Sequence, residues 1–455
     1  MSGQSRIASH ILAAHVAQTR TEDLPHAAIQ AVRHFTLDTL AVGIAGSKQP
    51  YAQSFGSVFA RGEGGAQIWG RGFSAGSAEA AAVNAFQAHC QEFDCVHEAA
   101  VLHPFTVVVP VLIAEAQTHG LSGEDYVAAC AAGVDMAAAL GVAATSQIKF
   151  FRPATCGLFG AVAALGRARR LSEDQLAHAF GFALSFAAGT MQAHVEGTPA
   201  LAASVGHAAR AAFDAVGLAQ AGLPGPESAI EGPFGYLSLF ETSFDLVPVL
   251  EALGKPWRVT QVSWKPFPTG RAAHGGIAMT LALRAQGATA ATLESLVIEA
   301  PPLIHHLVGR PIKAPLEVNY ARLCLPYCAA YALRHGGVGL DAFAPLALAD
   351  PETQALAEKI TVAKTDNPDP AAFTPQKAAA RLTDGRVLTA EAATLLGSPA
   401  QPLSPQAQLD KALACCAFAG LPAPNAAALI DAVALLPGLA NVEELGRWAG
   451  GPEHG

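Results

Sequence analysis

The stretch from His89 to Pro104 concentrates acid–base chemistry: His89, Glu92, Asp94, His97, Glu98 and His103 lie between two apolar runs. Moving a proton next to a carboxylate needs a base and an acid, and imidazole beside carboxylate tunes both near neutral pH. A connecting loop would also be polar, but loops held by rigid elements are where sites concentrate. Histidine and carboxylate can ligate metals as well. The spacing fits no standard zinc pattern, so no metal ligand is assigned. His103 directly precedes Pro104. Proline disfavours helical geometry at the residue before it and suits a first helical turn. That puts the His103 imidazole at a helix entrance, where the dipole disfavours its cation. A neutral imidazole accepts protons, so His103 is the expected general base.

A second group of residues could hold an anion. Lys265, Arg271 and His274 follow a β-branched segment, Val259 to Trp264. A lysine there could simply snorkel to solvent, but beside an arginine and a histidine it reads as one end of an anion clamp. Arg152 offers a planar fork for a carboxylate. Its neighbours Phe150, Phe151 and Pro153 suggest burial, and a buried arginine needs an anionic partner.

The elements that must position these groups are mostly helical. Apolar positions recur at helical spacing over 24–45, and residues 76–90 and 105–119 read as helices on either side of the polar stretch. Ser122 and Ser172 are expected N-caps, each followed by acidic residues that suit the dipole. The helix through 128–144 is nearly all apolar and should be buried. The texture changes near residue 256. Strands are expected at 259–264, 293–300 and 360–364. A hairpin is expected at 377–389 with a two-residue Asp384-Gly385 turn. Residues 397–405 read as a linker, after which helix returns. The fold class is therefore mostly α. A large helical domain (1–258 and 401–455) carries an inserted smaller α+β unit (259–400).

Composition narrows the function. The chain has 455 residues, is 51% hydrophobic and only 14% charged, and has a formal net charge of −9. Its cations are scattered, which argues against nucleic acid as a partner. No apolar run reads as a membrane span, and the Met1-Ser-Gly-Gln-Ser-Arg6 opening reads as no signal peptide. The eight cysteines form no Cys-x-x-Cys pair and suit small buried residues in a reducing compartment. A cytoplasmic protein is expected. So is a homodimer, since few charges and long Ala-rich helices leave apolar surface to bury.

The sequence resembles the MmgE/PrpD family, which includes 2-methylcitrate dehydratases, cis-aconitate decarboxylases and iminodisuccinate epimerases. His89, Glu92, Asp94, His97 and His103-Pro104 fit its acidic histidine segment, with Cys95 in place of a usual Asp. Phe150 to Gly160, Gly225 to Gly235, Trp264 to His274 and Ala321 to Tyr327 resemble further family segments in the same order. The resemblance implies a lid-like role for the α+β unit and a cofactor-free lyase acting on a small di- or tricarboxylate. An epimerase or isomerase using the same site is the alternative, and a metal-dependent hydrolase the second one. It implies His103, Asp94, His97, Lys265 and Tyr327 as catalytic residues, and Glu92, Arg152, Arg271 and His274 as substrate-binding residues. By itself Tyr327 would read as a core tyrosine. Leu201 and Ser204 stand where the family often has Lys and His, and Arg152 where many members have His. The expected cleft has 89–104 on one wall and 265–274 on the other.

Overall fold

The computed structural model describes residues 7–59 and 64–451. The Met1 to Arg6 opening lies outside them. Long helices form the larger part: His26–Gly46, Ser77–His89, Pro104–His119, Gly123–Ala143, Arg152–Ala168, Glu173–Phe186 and Ala200–Gln220. Ser122 accepts from Asp125 N, and Ser172 closes a capping box with Gln175, so both expected caps form. The Gly123–Ala143 helix is long and apolar enough to cross a membrane, contrary to the sequence reading. It is a core helix instead, because 94% of its apolar window is buried in the protein. It crosses Arg152–Ala168 very closely. A Cβ on Gly133 would lie 2.6 Å from the Gly160 carbonyl oxygen, so glycine is required there.

Strands come late and short. β1 (Ala66–Ile68) and β2 (Phe73–Ala75) pair in the helical part. The β-branched segment at 259–264 is not a full strand: a 3-10 turn, Arg258–Gln261, leads into the two-residue β4, Val262–Ser263. β4 pairs antiparallel with β3, Val96–His97. β5 (Leu293–Ala300), β6 (Ile360–Lys364), β7 (Gln376–Leu382) and β8 (Val387–Ala392) form one sheet in the order β6-β5-β7-β8, parallel only between β5 and β6. The β7–β8 loop holds three residues rather than two. Leu382 N–H donates to the Arg386 carbonyl, Gly385 N–H donates to the Leu382 carbonyl, and Gly385 adopts φ +87°. Glycine thus takes the left-handed bulge position that a three-residue hairpin requires.

One apolar cluster, drawn from residues 272–395, joins this sheet to the helices His274–Ala285 and Leu325–His335. Two large clusters and a small one around Phe86 fill the helical part among the described residues. One of them combines Val32, Leu40 and Leu112 with Cys415, Leu429 and Leu445, so the last helices pack on the first ones. All eight cysteines are buried and unpaired.

Candidate active site

The Ser77–His89 helix ends in the polar segment, and Pro104–His119 begins immediately after it. Between them the backbone is tightly bent. Glu92 and Val101 hold φ of +54° and +52°, a region costly for residues with a Cβ and especially for β-branched ones. Within this bent segment Glu92, Asp94, His97 and His103 are all buried.

Asp94 is the hub. Its Oδ2 accepts from His89 Nδ1 at 2.9 Å and Thr106 Oγ1 at 2.6 Å, with His103 Nδ1 at 3.3 Å. Lys265 Nζ stands 3.6 Å from its Oδ1. The same ammonium donates to Glu92 Oε2 at 2.9 Å and to the Glu92 carbonyl at 3.1 Å. Burial alone would raise both carboxyls. For Glu92, Lys265, His89 and His103 outweigh it and hold the pKa down to about 2. For Asp94, His103, His89 and Lys265 push it below the usual carboxylate range. His89 moves the other way: burial disfavours its cation, but Asp94 and Glu92 win and raise its pKa. Two carboxylates thus face the Lys265 ammonium and the His89 imidazole, whose cation they favour.

Burial is the main reason the His103 pKa falls to about 4, with Asp94 opposing and Lys265 adding to the fall. The result matches the sequence expectation, but desolvation comes first rather than the helix end. The His103 tautomer follows from geometry. Nδ1 lies 2.8 Å from the Cys95 carbonyl oxygen, which can only accept, so Nδ1 carries the proton. Nε2, with no hydrogen bond among the described residues, keeps its lone pair for the cavity that His103 lines.

That cavity is lined by both halves of the chain: by Glu92, His103, Phe151 and His194 from the first, and by Arg271, Leu307 and Phe373 from the second. Lys265 and Arg271 do come against the 89–104 segment. Arg271 pairs with Glu98 at 2.8 Å and also donates to the carbonyls of Trp264 and Leu396. The turn behind Lys265 is fixed by Trp264 N–H donating to Gly397 O at 2.8 Å.

Four expected site residues have their polar atoms engaged by other groups of the protein. Tyr327 is fully buried in the sheet-side core, and its hydroxyl donates to the Ala342 carbonyl at 2.6 Å. Arg152 has an anionic partner inside the protein: Nε and Nη2 each donate to Glu241 at 2.9 Å. His97 accepts from Ala100 N–H at Nδ1 and meets Gln261 at 3.3 Å, which braces the 97–102 turn. Burial takes its pKa to about 4. His274 sits beside Arg271 at 3.4 Å and is kept neutral by burial, then by Arg271 and Lys265.

Sequence reasoning left out three participants. His89, although inside the motif, was assigned no role. His194, on the short Gln192–Glu196 helix, lines the cavity with Met191. Arg310 donates from Nη2 to His194 Nδ1 at 3.1 Å. Neither His194 nor Arg310 belongs to a recognisable motif, and only the fold brings them 116 positions together.

One ligating atom each from His89, Asp94 and His103 lies within 4.8 Å of the others, close enough for a metal. The donor set fits hydrogen bonding better. The Nδ1 atoms facing Asp94 carry protons, and the Lys265 ammonium already supplies the compensating charge.

The sequence matches the MmgE/PrpD N-terminal domain over residues 10–248 and the MmgE/PrpD C-terminal domain over residues 267–435. It is similar to the cis-aconitate decarboxylase-like protein oryM of Aspergillus oryzae, 27% identical over 373 residues covering 76% of this chain and 77% of that one. It is also similar to the cis-aconitate decarboxylase of Aspergillus terreus, 25% identical over 277 residues. That match covers 56% of each chain, so it spans little more than half of that relative.

Proposed function

The chain belongs to the MmgE/PrpD family, and from that premise we propose that it is a lyase that removes a proton next to a carboxylate of a small carboxylate substrate. The observation that carries this reading is the fixed tautomer of His103. With Nδ1 donating to the Cys95 carbonyl, Nε2 is a neutral base opening on the cavity. Its low pKa keeps that base free at neutral pH. Proton removal turns the carboxylate into an aci-carboxylate with more negative charge, which fixed donors and cations stabilise. The named relatives, both cis-aconitate decarboxylase or decarboxylase-like, support lyase chemistry on a carboxylate.

Epimerisation would need a second base on the opposite face of the substrate. His194, the other cavity imidazole, accepts at Nδ1 from Arg310 and therefore carries its proton on Nε2. It is a donor, which favours one-base elimination over two-base epimerisation. The 259–400 segment supplies Arg271, Leu307 and Phe373 to the cavity wall, which supports its reading as a cover over the helical part. The reaction is proposed to need no metal or organic cofactor. A homodimer is proposed as well, supported by the exposed Phe234, Leu239, Phe244 and Val247.

The deciding experiment incubates the enzyme with a panel of small carboxylates in deuterated water and follows them by NMR, before and after exhaustive chelation. Deuterium incorporation or elimination that survives chelation is expected. Loss of all turnover on chelation, restored by a divalent metal, would replace this reading with a metal-dependent one.

A further inference from the structure

His89 has no part in the proton abstraction, yet it stands beside the base. It is 1% exposed. Its Nδ1 lies 2.9 Å from Asp94 Oδ2, and an ionised carboxylate can only accept, so Nδ1 carries a proton. Its Nε2 is buried with no hydrogen bond among the described residues. Glu92 Oε1 stands 3.6 Å away, beyond hydrogen-bond reach. A buried polar atom without a partner costs stability and points to a partner that arrives. Space for one is present: His89 lines a second cavity with Phe86, Glu92, Thr198 and Leu201. Glu92 and Leu323 line both this cavity and the one that His103 lines, so the two adjoin. The His89 and His103 rings meet edge to face, 5.1 Å between centroids. Both Nδ1 atoms face the same oxygen, Asp94 Oδ2, at 2.9 and 3.3 Å. One substrate spanning the two spaces can therefore meet both Nε2 atoms. The two rings favour opposite charge states. Burial opposes the His89 cation, but Asp94 and Glu92 outweigh it, whereas burial keeps His103 neutral. A cationic His89 carries a proton on Nε2 as well, which sets an acid next to a base.

We infer that His89 is the general acid of this reaction. Its Nε2–H protonates a hydroxyl leaving the carbon β to the substrate carboxylate, while His103 Nε2 takes the proton from the α carbon. The electron pair of the broken C–H bond first enlarges the charge on the carboxylate and then forms the C=C bond. The C–O pair leaves with the oxygen, which departs as water once it holds the His89 proton. His103 ends as the cation and His89 as the neutral ring, and exchange with solvent restores both. Hydroxide is a poor leaving group, and an acid placed at its oxygen is worth about 10²–10⁴-fold in rate. The inference rests on the proposed proton abstraction by His103 and adds the leaving group to it.

The test follows the full chain in deuterated water by NMR. The probes are two hydroxy carboxylates, malate and 3-hydroxyglutarate, and their chloro analogues, chlorosuccinate and 3-chloroglutarate. Chloride leaves without a proton. His89→Gln should therefore slow loss of water by about 10²–10⁴-fold and loss of chloride by less than about tenfold. In the wild type, loss of water should fall as pH rises through the raised His89 pKa, above about 6.5, and loss of chloride should show no such fall. The charged and titratable groups around His89 are Glu92, Asp94, Lys265, His103 and His194. The two carboxyls, His103 and His194 titrate well below that range, and Lys265 serves both leaving groups alike. Equal slowing of both leaving groups in folded His89→Gln, or unchanged loss of water in that variant, would overturn the inference. So would an alkaline fall in the wild type that is shared by both leaving groups or absent from both, and this comparison decides alone if the variant does not fold. Wild-type enzyme that exchanges the α proton but never loses water would overturn it as well. Failure of the proposed reaction looks different: no probe would exchange an α proton or lose either group.

Discussion

Lys265 Nζ lies 2.9 Å from Glu92 Oε2, with Lys265 wholly buried and 173 positions separating the two residues. This pair ties the segment after β4 to the acidic histidine segment and supplies the charge that lets Glu92 and Asp94 both stay ionised. Lys265→Met should therefore leave two buried carboxylates facing each other. The expected loss is about 3–5 kcal/mol of unfolding free energy, the usual cost of removing one partner of a buried pair, together with most of the turnover. Urea denaturation at neutral pH measures it, and an unchanged midpoint would remove Lys265 from this role.

His103→Gln should lower turnover by about 10²–10⁴-fold, the range for losing a positioned base, while carboxylate binding changes little. In the wild-type enzyme the base works above its pKa, so activity should be retained on acidification and fall only as pH approaches about 4. NMR turnover and calorimetry on the same variant separate the two effects. Loss of binding without loss of chemistry would make His103 a recognition group.

The Arg152–Glu241 pair gives a structural control. Arg152→Gln strands Glu241, which is buried, and should cost about 3–5 kcal/mol. The double change Arg152→Met with Glu241→Leu should recover most of that stability, because a buried pair is often replaceable by packed apolar groups. Carboxylate affinity in the double variant should match wild type. A large loss of affinity would return Arg152 to the substrate site.

Tyr327→Phe should keep turnover within about threefold, since it removes only the bond to the Ala342 carbonyl, worth about 1 kcal/mol. A drop of 10²-fold or more in kcat would show that its hydroxyl reaches the chemistry.

Stability should fall as pH drops from about 6.5 towards 4. His97 and His103 have folded pKa values near 4 and His194 near 3. In that window the unfolded imidazoles bind protons that the folded ones refuse, which favours unfolding. His89, with its raised pKa, works in the opposite direction. Each of the three would contribute about 2 kcal/mol of loss between pH 7.5 and 5, so the net loss, after the opposing His89, is on the order of 5 kcal/mol, read from urea midpoints at the two pH values. A midpoint that rises on acidification would contradict the neutral state of these histidines.

The sequence by itself determined the helices, because their periodicity and caps are local: Ser122 and Ser172 cap where expected, and His103-Pro104 marks a helix entrance. It also located the acid–base segment, whose members are close along the chain. It could not say where a side chain's remaining valence goes. The fork of Arg152 and the family resemblance at Tyr327 suggested ligand groups, but Glu241 and the Ala342 carbonyl, distant in sequence or hidden in backbone, take up their hydrogen bonds. The β-branched run at 259–264 shortened to β4 because only β3 offers it a partner. Local propensity makes a strand only where a ladder exists. The tautomers of His103 and His194 were decided by tertiary structure alone. The same imidazole is a base against the Cys95 carbonyl and a donor against Arg310, and no residue spacing records which neighbour a ring nitrogen will meet.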